Sequence, residues 1–241
     1  MAILRSQFID SFEAKDIPNW SCPTCYIGTL KCDPKNITSY ESALSLSSRD
    51  FYEVWEPTKA HGNFYGVLNC CNSKCNETVA ITGYMICTTP IFNLVKKDYK
   101  YEIIHLLTPL GFNPPIHIFQ INQEVPSAIR NEIIFAFNLY WYDTFCCAAR
   151  IRMVVEFILD DIKVPGTYTR SNKKYPYSLY KRIQLFGNKN KVIAALLMSI
   201  QWIANPGDKR TYLSKKEILT GFEILELFTI MIYDPDLQKK P

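Results

Sequence analysis

Histidine is scarce in this 241-residue chain: the three are His61, His105 and His117, and none follows residue 117. The second half therefore lacks the side chain whose ordinary pKa places proton exchange near neutrality, which excludes histidine-based acid–base catalysis from it. Long apolar runs are also missing. No uncharged stretch reaches the roughly 18 residues of a membrane span, and Met1 to Trp20 carries Arg5, Asp10, Glu13, Lys15 and Asp16 among its apolar residues. Neither a membrane segment nor a targeting leader is expected, and the expected location is cytoplasmic. In that reducing setting nine cysteines point to metal binding and buried thiols rather than to disulfides.

Acidic residues are absent from one long segment. Ile162 to Gly207 contains no Asp or Glu but carries Lys163, Arg170, Lys173, Lys174, Lys181, Arg182, Lys189 and Lys191. The net charge of +4 is too small to characterise the whole chain, yet it is unevenly spread: residues 1–120 hold 10 Lys/Arg against 11 Asp/Glu, and residues 121–241 hold 17 against 12. What is plentiful is core-forming material, with 48% hydrophobic and 14% aromatic residues, so disorder is excluded for most of the chain, and the length suits one or two domains.

Two kinds of periodicity divide the sequence. From about Cys22 to Gln120, short β-branched and aromatic runs alternate with Asn, Pro and Gly. Phe51 to Trp55, Phe64 to Leu68, Thr78 to Ile86 and Tyr101 to Leu107 read as strands, and the Ser-rich Asp33 to Asp50 reads as a loop. From Pro126 onward the apolar period is helical. Helices are expected over about Pro126–Trp141, Asp143–Asp161, Pro176–Phe186, Lys189–Ala204 and Ser214–Tyr233, with a loop over Pro165–Pro176. Ser214-Lys215-Lys216-Glu217 is a capping box that starts the last helix.

Cys22-Pro23-Thr24-Cys25 is a two-thiolate knuckle, and Cys70 with Cys75 supplies a second pair, Cys71 lying beside it. Four thiolates from two turns make a closed, structural zinc site with no open position for a reacting water. The 44 residues separating Cys25 from Cys70 exceed the usual ribbon gap. A redox Cys-x-x-Cys is the competing reading, against which stands the lack of a helix starting at Cys22. Cys32, Cys87, Cys146 and Cys147 read as buried fillers. Arg152 and Glu156 stand four residues apart in an otherwise apolar helix, either as a buried structural ion pair or, with Asn205, as a polar site.

Several runs taken together resemble a known family: Trp20 to Cys25, Leu68-Asn69-Cys70 with Cys75-Asn76-Glu77, Phe112-Asn113-Pro114-Pro115, Ala148 to Arg152 through Glu156, and Ile200 to Gly207. Over Asn19 to Tyr233 the chain resembles the domain-of-unknown-function 4145 family, whose members join a zinc ribbon to a HEPN-like helical domain. The resemblance implies an α+β chain, with a zinc-ribbon and small β-sheet unit over residues 1–121 and a HEPN-like α-helical bundle over 122–241. It also implies zinc held by Cys22, Cys25, Cys70 and Cys75 with Cys71 left out, a homodimer through the helical half, and an accessory role beside a partner protein in bacterial defence or restriction.

One departure bears on activity. Where relatives read Gly-Asn and then His four residues on, this chain has Ala204-Asn205 and then Lys209. A HEPN ribonuclease using Lys209 or Arg210 with a histidine from the first domain is therefore the least favoured reading, and the protein is expected to be non-catalytic. The favoured reading is nucleic-acid binding through Arg170, Lys173, Lys174, Lys181, Arg182, Lys189 and Lys191, with Tyr168, Tyr175, Tyr177 and Tyr180 interleaved to stack on bases. The alternative is a protein–protein scaffold with no nucleic-acid role.

Overall fold

The computed structural model describes residues 3–51, 56–88, 103–188, 190–203 and 213–238. The chain is α+β and divides into two compact units, one from Ile9 to Ile116 and one formed by the residues before Ile9 with those from His117 onward.

The first unit is built on a five-stranded antiparallel sheet: β1 (Leu30–Lys31), β2 (Ile37–Glu41), β3 (His61–Cys70), β4 (Thr78–Thr88) and β5 (Ile104–Asn113). β3 and β4 alternate buried and exposed residues along nearly their whole length, because successive side chains of a strand point to opposite faces. Phe64, Leu68, Val79, Ile81 and Met85 point inward with Trp20, Leu107 and Phe112. β4 lies on one edge of β3. β1 and β2 share the other, β1 beside the Cys70 end and β2 beside Gly62 to Gly66.

Two features of this unit differ from the sequence expectation. β5 extends past Leu107, where the expected strand ends, through Pro109 and Gly111, and it does so at a register shift opposite Thr82 and Gly83, where a ladder tolerates a residue with no N–H. The Ser-rich segment expected to be a loop contains β2 and helix α2 (Ala43–Phe51). Its serines serve the structure: the Ser42 hydroxyl accepts from Ser45 N at 3.1 Å, and the fully buried Ser45 hydroxyl donates to Glu41 at 2.7 Å and accepts from His61 N at 3.2 Å. Short hydroxyl side chains bond nearby backbone in turns and at helix starts alike, so composition does not separate the two. Of the strand expected over 51–55, Phe51 ends α2 and the rest lies outside the described residues.

The second unit is mainly helical. It contains α3 (Ser127–Tyr142), α4 (Thr144–Asp161), α5 (Leu179–Gly187), α6 (Lys191–Ile203), α7 (Lys215–Tyr233) and the short α8 (Pro235–Gln238), with most of the first-turn helix α1 (Ser6–Ile9). Asp143 breaks the chain between α3 and α4 and caps α4, its carboxylate accepting from Phe145 N and Cys146 N. The capping box at Ser214 is formed as expected. An aromatic cluster fills the centre: Phe222 stands 5.3 Å from Phe137, 6.1 Å from Tyr140 and 6.4 Å from Phe119, centroid to centroid. The Tyr140 hydroxyl, buried in that cluster, donates to Phe8 O at 2.9 Å. Arg5 pairs with Glu223 and bonds Thr220 at 3.0 Å, so the N-terminal residues belong with the helices.

Where a loop was expected between α4 and α5, the chain forms a hairpin of β6 (Thr167–Arg170) and β7 (Lys173–Pro176). Ser171 and Asn172 take φ values of 51° and 60°, the left-handed pair that turns a two-residue hairpin with the strand twist.

Candidate metal centre and the basic hairpin

The two cysteine pairs meet at one end of the sheet. The first lies in a tight turn closed by Cys22 N to Gly28 O (2.8 Å) and Leu30 N to Trp20 O (2.8 Å), which feeds β1. The second forms the connection between β3 and β4, closed by Cys70 N to Glu77 O at 2.9 Å. The residue after each second cysteine, Tyr26 and Asn76, has φ of 54°, and its N–H returns to the start of its loop: Tyr26 N to Cys22 O at 3.0 Å, Asn76 N to Asn72 O at 3.3 Å. The two loops are thus near copies in backbone conformation.

The sulfurs of Cys22, Cys25, Cys70 and Cys75 all lie within 4.8 Å of one another. Cys22 and Cys75 are 3.8 Å apart and Cys25 and Cys70 are 3.7 Å apart. Thiolates at 2.3 Å from a tetrahedral ion would be separated by about 3.8 Å, the spacing of these two pairs, so the set is compatible with a metal ion. Cys22 is fully buried, Cys70 nearly so, and Cys25 and Cys75 are half-buried. Cys71 is exposed, and its sulfur accepts from Thr29 N at 3.2 Å, away from the cluster.

Backbone and amide donors converge on these sulfurs. Gly28 N donates to Cys25 Sγ and Asn72 N to Cys70 Sγ, both at 3.4 Å, and Asn72 Nδ2 reaches Cys25 Sγ at 3.7 Å. The Gly28 donor chiefly pulls the Cys25 thiol down to about 6, whereas burial pushes Cys70 up to about 12. Gly28 must lack a side chain, since a Cβ there would stand 2.5 Å from Cys70 Sγ. Gly28 and Asn72 were not singled out from sequence. Their positions, three residues after Cys25 and two after Cys70, are where a knuckle places N–H donors toward sulfur.

The other candidate residues divide. Arg152 and Glu156 lie on α4 as half-buried residues at the margin of its buried face of Ile151, Val154, Val155, Ile158 and Leu159, not in the bundle interior as expected. Met153 and Phe157, counted among that apolar run, are exposed, which leaves one side of the helix open to solvent. Asn205 lies outside the described residues, as do Lys189, Lys209 and Arg210.

Arg182 is a correction. It is 6% exposed and spends its guanidinium internally, on Asp160 Oδ1 at 2.6 Å, Val164 O at 3.2 Å and Glu156 O at 3.5 Å, so it ties the end of α4 to α5 and is withdrawn from any surface role. A charge count along the sequence cannot register burial. Lys181 and Lys191 are exposed on α5 and α6.

Arg170, Lys173 and Lys174 are exposed on the β6–β7 hairpin, and the register orders them. Tyr168 faces Tyr175 and Arg170 faces Lys173, on the same side of the ribbon, while Lys174 faces Thr169 on the other. The Tyr168 ring stacks on Tyr175 (5.6 Å, 28°) and on Tyr177 (4.9 Å, 29°).

Residues 10–112, spanning the sheet unit and all four clustered cysteines, match a family described as a domain of unknown function, DUF8608. That is a different family from the one the sequence resembles, and it speaks only for the first unit. No curated protein and no solved structure matches the chain.

Proposed function

We propose that the protein is a non-catalytic, zinc-stabilised nucleic-acid-binding protein, in which the cysteine cluster is structural and the β6–β7 hairpin is the contact surface. One observation carries the second part. Arg170 and Lys173 stand directly opposite each other on the ribbon, in a segment free of acid from Ile162 to Gly207. Like charges at paired cross-strand positions destabilise a hairpin, and strands of four exposed residues have no burial to offset that. An anionic partner removes the penalty, and phosphates are the anions that Arg and Lys side chains neutralise in repeating array.

Zinc is the ion that best suits four thiolates in a closed tetrahedron, since it has no geometric preference of its own and no redox chemistry to suppress. The absence of a histidine after residue 117 supports the non-catalytic reading. The resemblance to HEPN-like proteins supports a bundle that has kept a fold and lost the acid–base residue, as an accessory part of a defence system.

The test is a fluorescence-anisotropy titration against DNA and RNA over a range of salt. For two to three phosphate contacts, log K should fall against log[salt] with a slope of about −1.4 to −2 on single strands, and the double variant Arg170→Ala/Lys173→Ala should flatten that slope by about 1.4. Binding that ignores salt, or a double variant with the parent's slope, sinks the proposal.

A protein–protein role draws on a separate feature. Phe145, Ala149, Met153 and Phe157 repeat every four residues along α4 and are all exposed, with Phe135 of α3 exposed as well. Such an apolar stripe suits a homodimer through the helical half. Light scattering should then give twice the chain mass, and Met153→Glu should give the monomer; a monomeric parent protein rules this reading out.

A further inference from the structure

We infer that the hairpin selects single-stranded over duplex nucleic acid, an unpaired base stacking on the tyrosine rings while the adjacent phosphates are held by Arg170 and Lys173. This deepens the nucleic-acid reading and rests on it.

Register and ring geometry together lead there. Tyr168 stacks on both Tyr175 and Tyr177, so the three rings form one aromatic group. Every residue from Thr167 to Pro176 is exposed, and Tyr168 and Tyr175 keep 38% and 41% of their surface in water, while Tyr177, just past β7, is half-buried. Tyr168 and Tyr175 thus form an aromatic platform held in solvent on a ribbon with no core.

The Arg170/Lys173 pair is the next pair toward the turn on the same face, two residues or about 6.6 Å away. Cations and rings are therefore offset along the ribbon, as a phosphate and its base are offset along an unpaired strand. In a duplex the base faces are already occupied by their neighbours, so only the cations of this surface would find partners there. Asp160, whose carboxylate lies close to Gly166 just before β6, is paired with Arg182, which offsets its repulsion of a polyanion.

The measurement uses the whole 241-residue chain with fluorescein-labelled oligothymidylate, oligouridylate and a duplex of equal length, each titrated over a range of salt and compared at matched salt. The parent should bind either single strand at least several-fold more tightly than the duplex. Tyr175→Leu/Tyr177→Leu should lose about tenfold or more on the single strands and leave the duplex unchanged, while Tyr175→Phe/Tyr177→Phe should keep the parent affinity. A strand carrying 5-iodouracil should photocross-link to Tyr175 or Tyr177 in the unmodified protein, a readout that does not depend on a variant folding. Salt-dependent binding with equal affinity for duplex, a leucine variant equal to the parent, or cross-links confined to other residues overturns the single-strand inference alone. No salt-dependent binding to any of the three probes overturns the nucleic-acid reading beneath it.

Discussion

Cys75→Ser is expected to cost the protein its metal and to melt the cysteine end of the sheet, with the helical unit left folded. Apparent binding energies of structural zinc in small thiolate sites are on the order of 10 kcal/mol, comparable to the total stability of a domain. Here the ion would join two loops that are otherwise tied by the two-residue β1–β3 ladder, by Cys71 N to Thr29 O at 2.9 Å, and by side-chain bonds such as Asn72 Nδ2 to Cys25 Sγ and the Thr24 hydroxyl to Glu77. Hydrogen exchange should show protection lost first over residues 20–31 and 69–78, while the far end of β3 and β4, packed by Phe64, Ile81 and Met85, holds longer. Elemental analysis should find one zinc per chain in protein purified without chelators and none in the variant. A parent protein without zinc, or a variant melting with the parent, contradicts the structural role.

The same site makes stability depend on pH in a definite direction. In the metal-free fold Cys25 stays a thiolate down to about 6, because its folded pKa lies below the ordinary thiol value, whereas Cys70, held up at about 12, is protonated at neutral pH. Binding a metal must then displace at least the Cys70 proton, so affinity rises with pH and falls on acidification, most steeply once Cys25 is also protonated below about 6. Zinc release followed by a chromogenic chelator should therefore increase as the pH falls.

Phe222→Ala should be the most damaging single change in the helical unit, by about 3–5 kcal/mol, because it empties the middle of a fully buried aromatic cluster. The neighbours that would have to close the gap, Phe137 and Tyr140, are themselves fully buried and held by rigid rings, and Tyr140 is also fixed by its bond to Phe8 O. Collapse into the cavity is therefore limited. Phe222→Leu should cost clearly less. Zinc content should be unchanged in both variants, since the cysteines belong to the other compact unit. Thermal melts read beside zinc stoichiometry check this, and an alanine variant within about 1 kcal/mol of the parent would show that the cluster repacks.

Local chemistry was readable from the chain. Asp143 and Ser214 mark helix starts because an oxygen near the backbone satisfies orphan N–H groups wherever it occurs, and both caps are present. Phe64 to Leu68 and Thr78 to Ile86 lie within β3 and β4 because period-two alternation demands a strand with one buried face. The cysteine set was also legible, since two pairs of thiolates at short spacing are the usual signature of a tetrahedral metal site.

What sequence left undecided turns on partners distant in the chain. Arg152 and Glu156 looked interior because their neighbours are apolar, yet one side of α4 faces solvent, so the pair sits at the edge of the packed face. Arg182 looked like one more surface cation until α5 packed near the end of α4 and enclosed it. Arg5, close to the start of the chain, joins α7 more than two hundred positions away through Glu223. Strand and helix periods, the caps, the cysteine pairs and the acid-free stretch are written in residues close together along the chain and can be read there. Which charges are buried, the convergence of the four sulfurs, and the placing of Arg170 opposite Lys173 beside stacked tyrosines come from packing across the fold, because burial and register are set by residues distant in the chain.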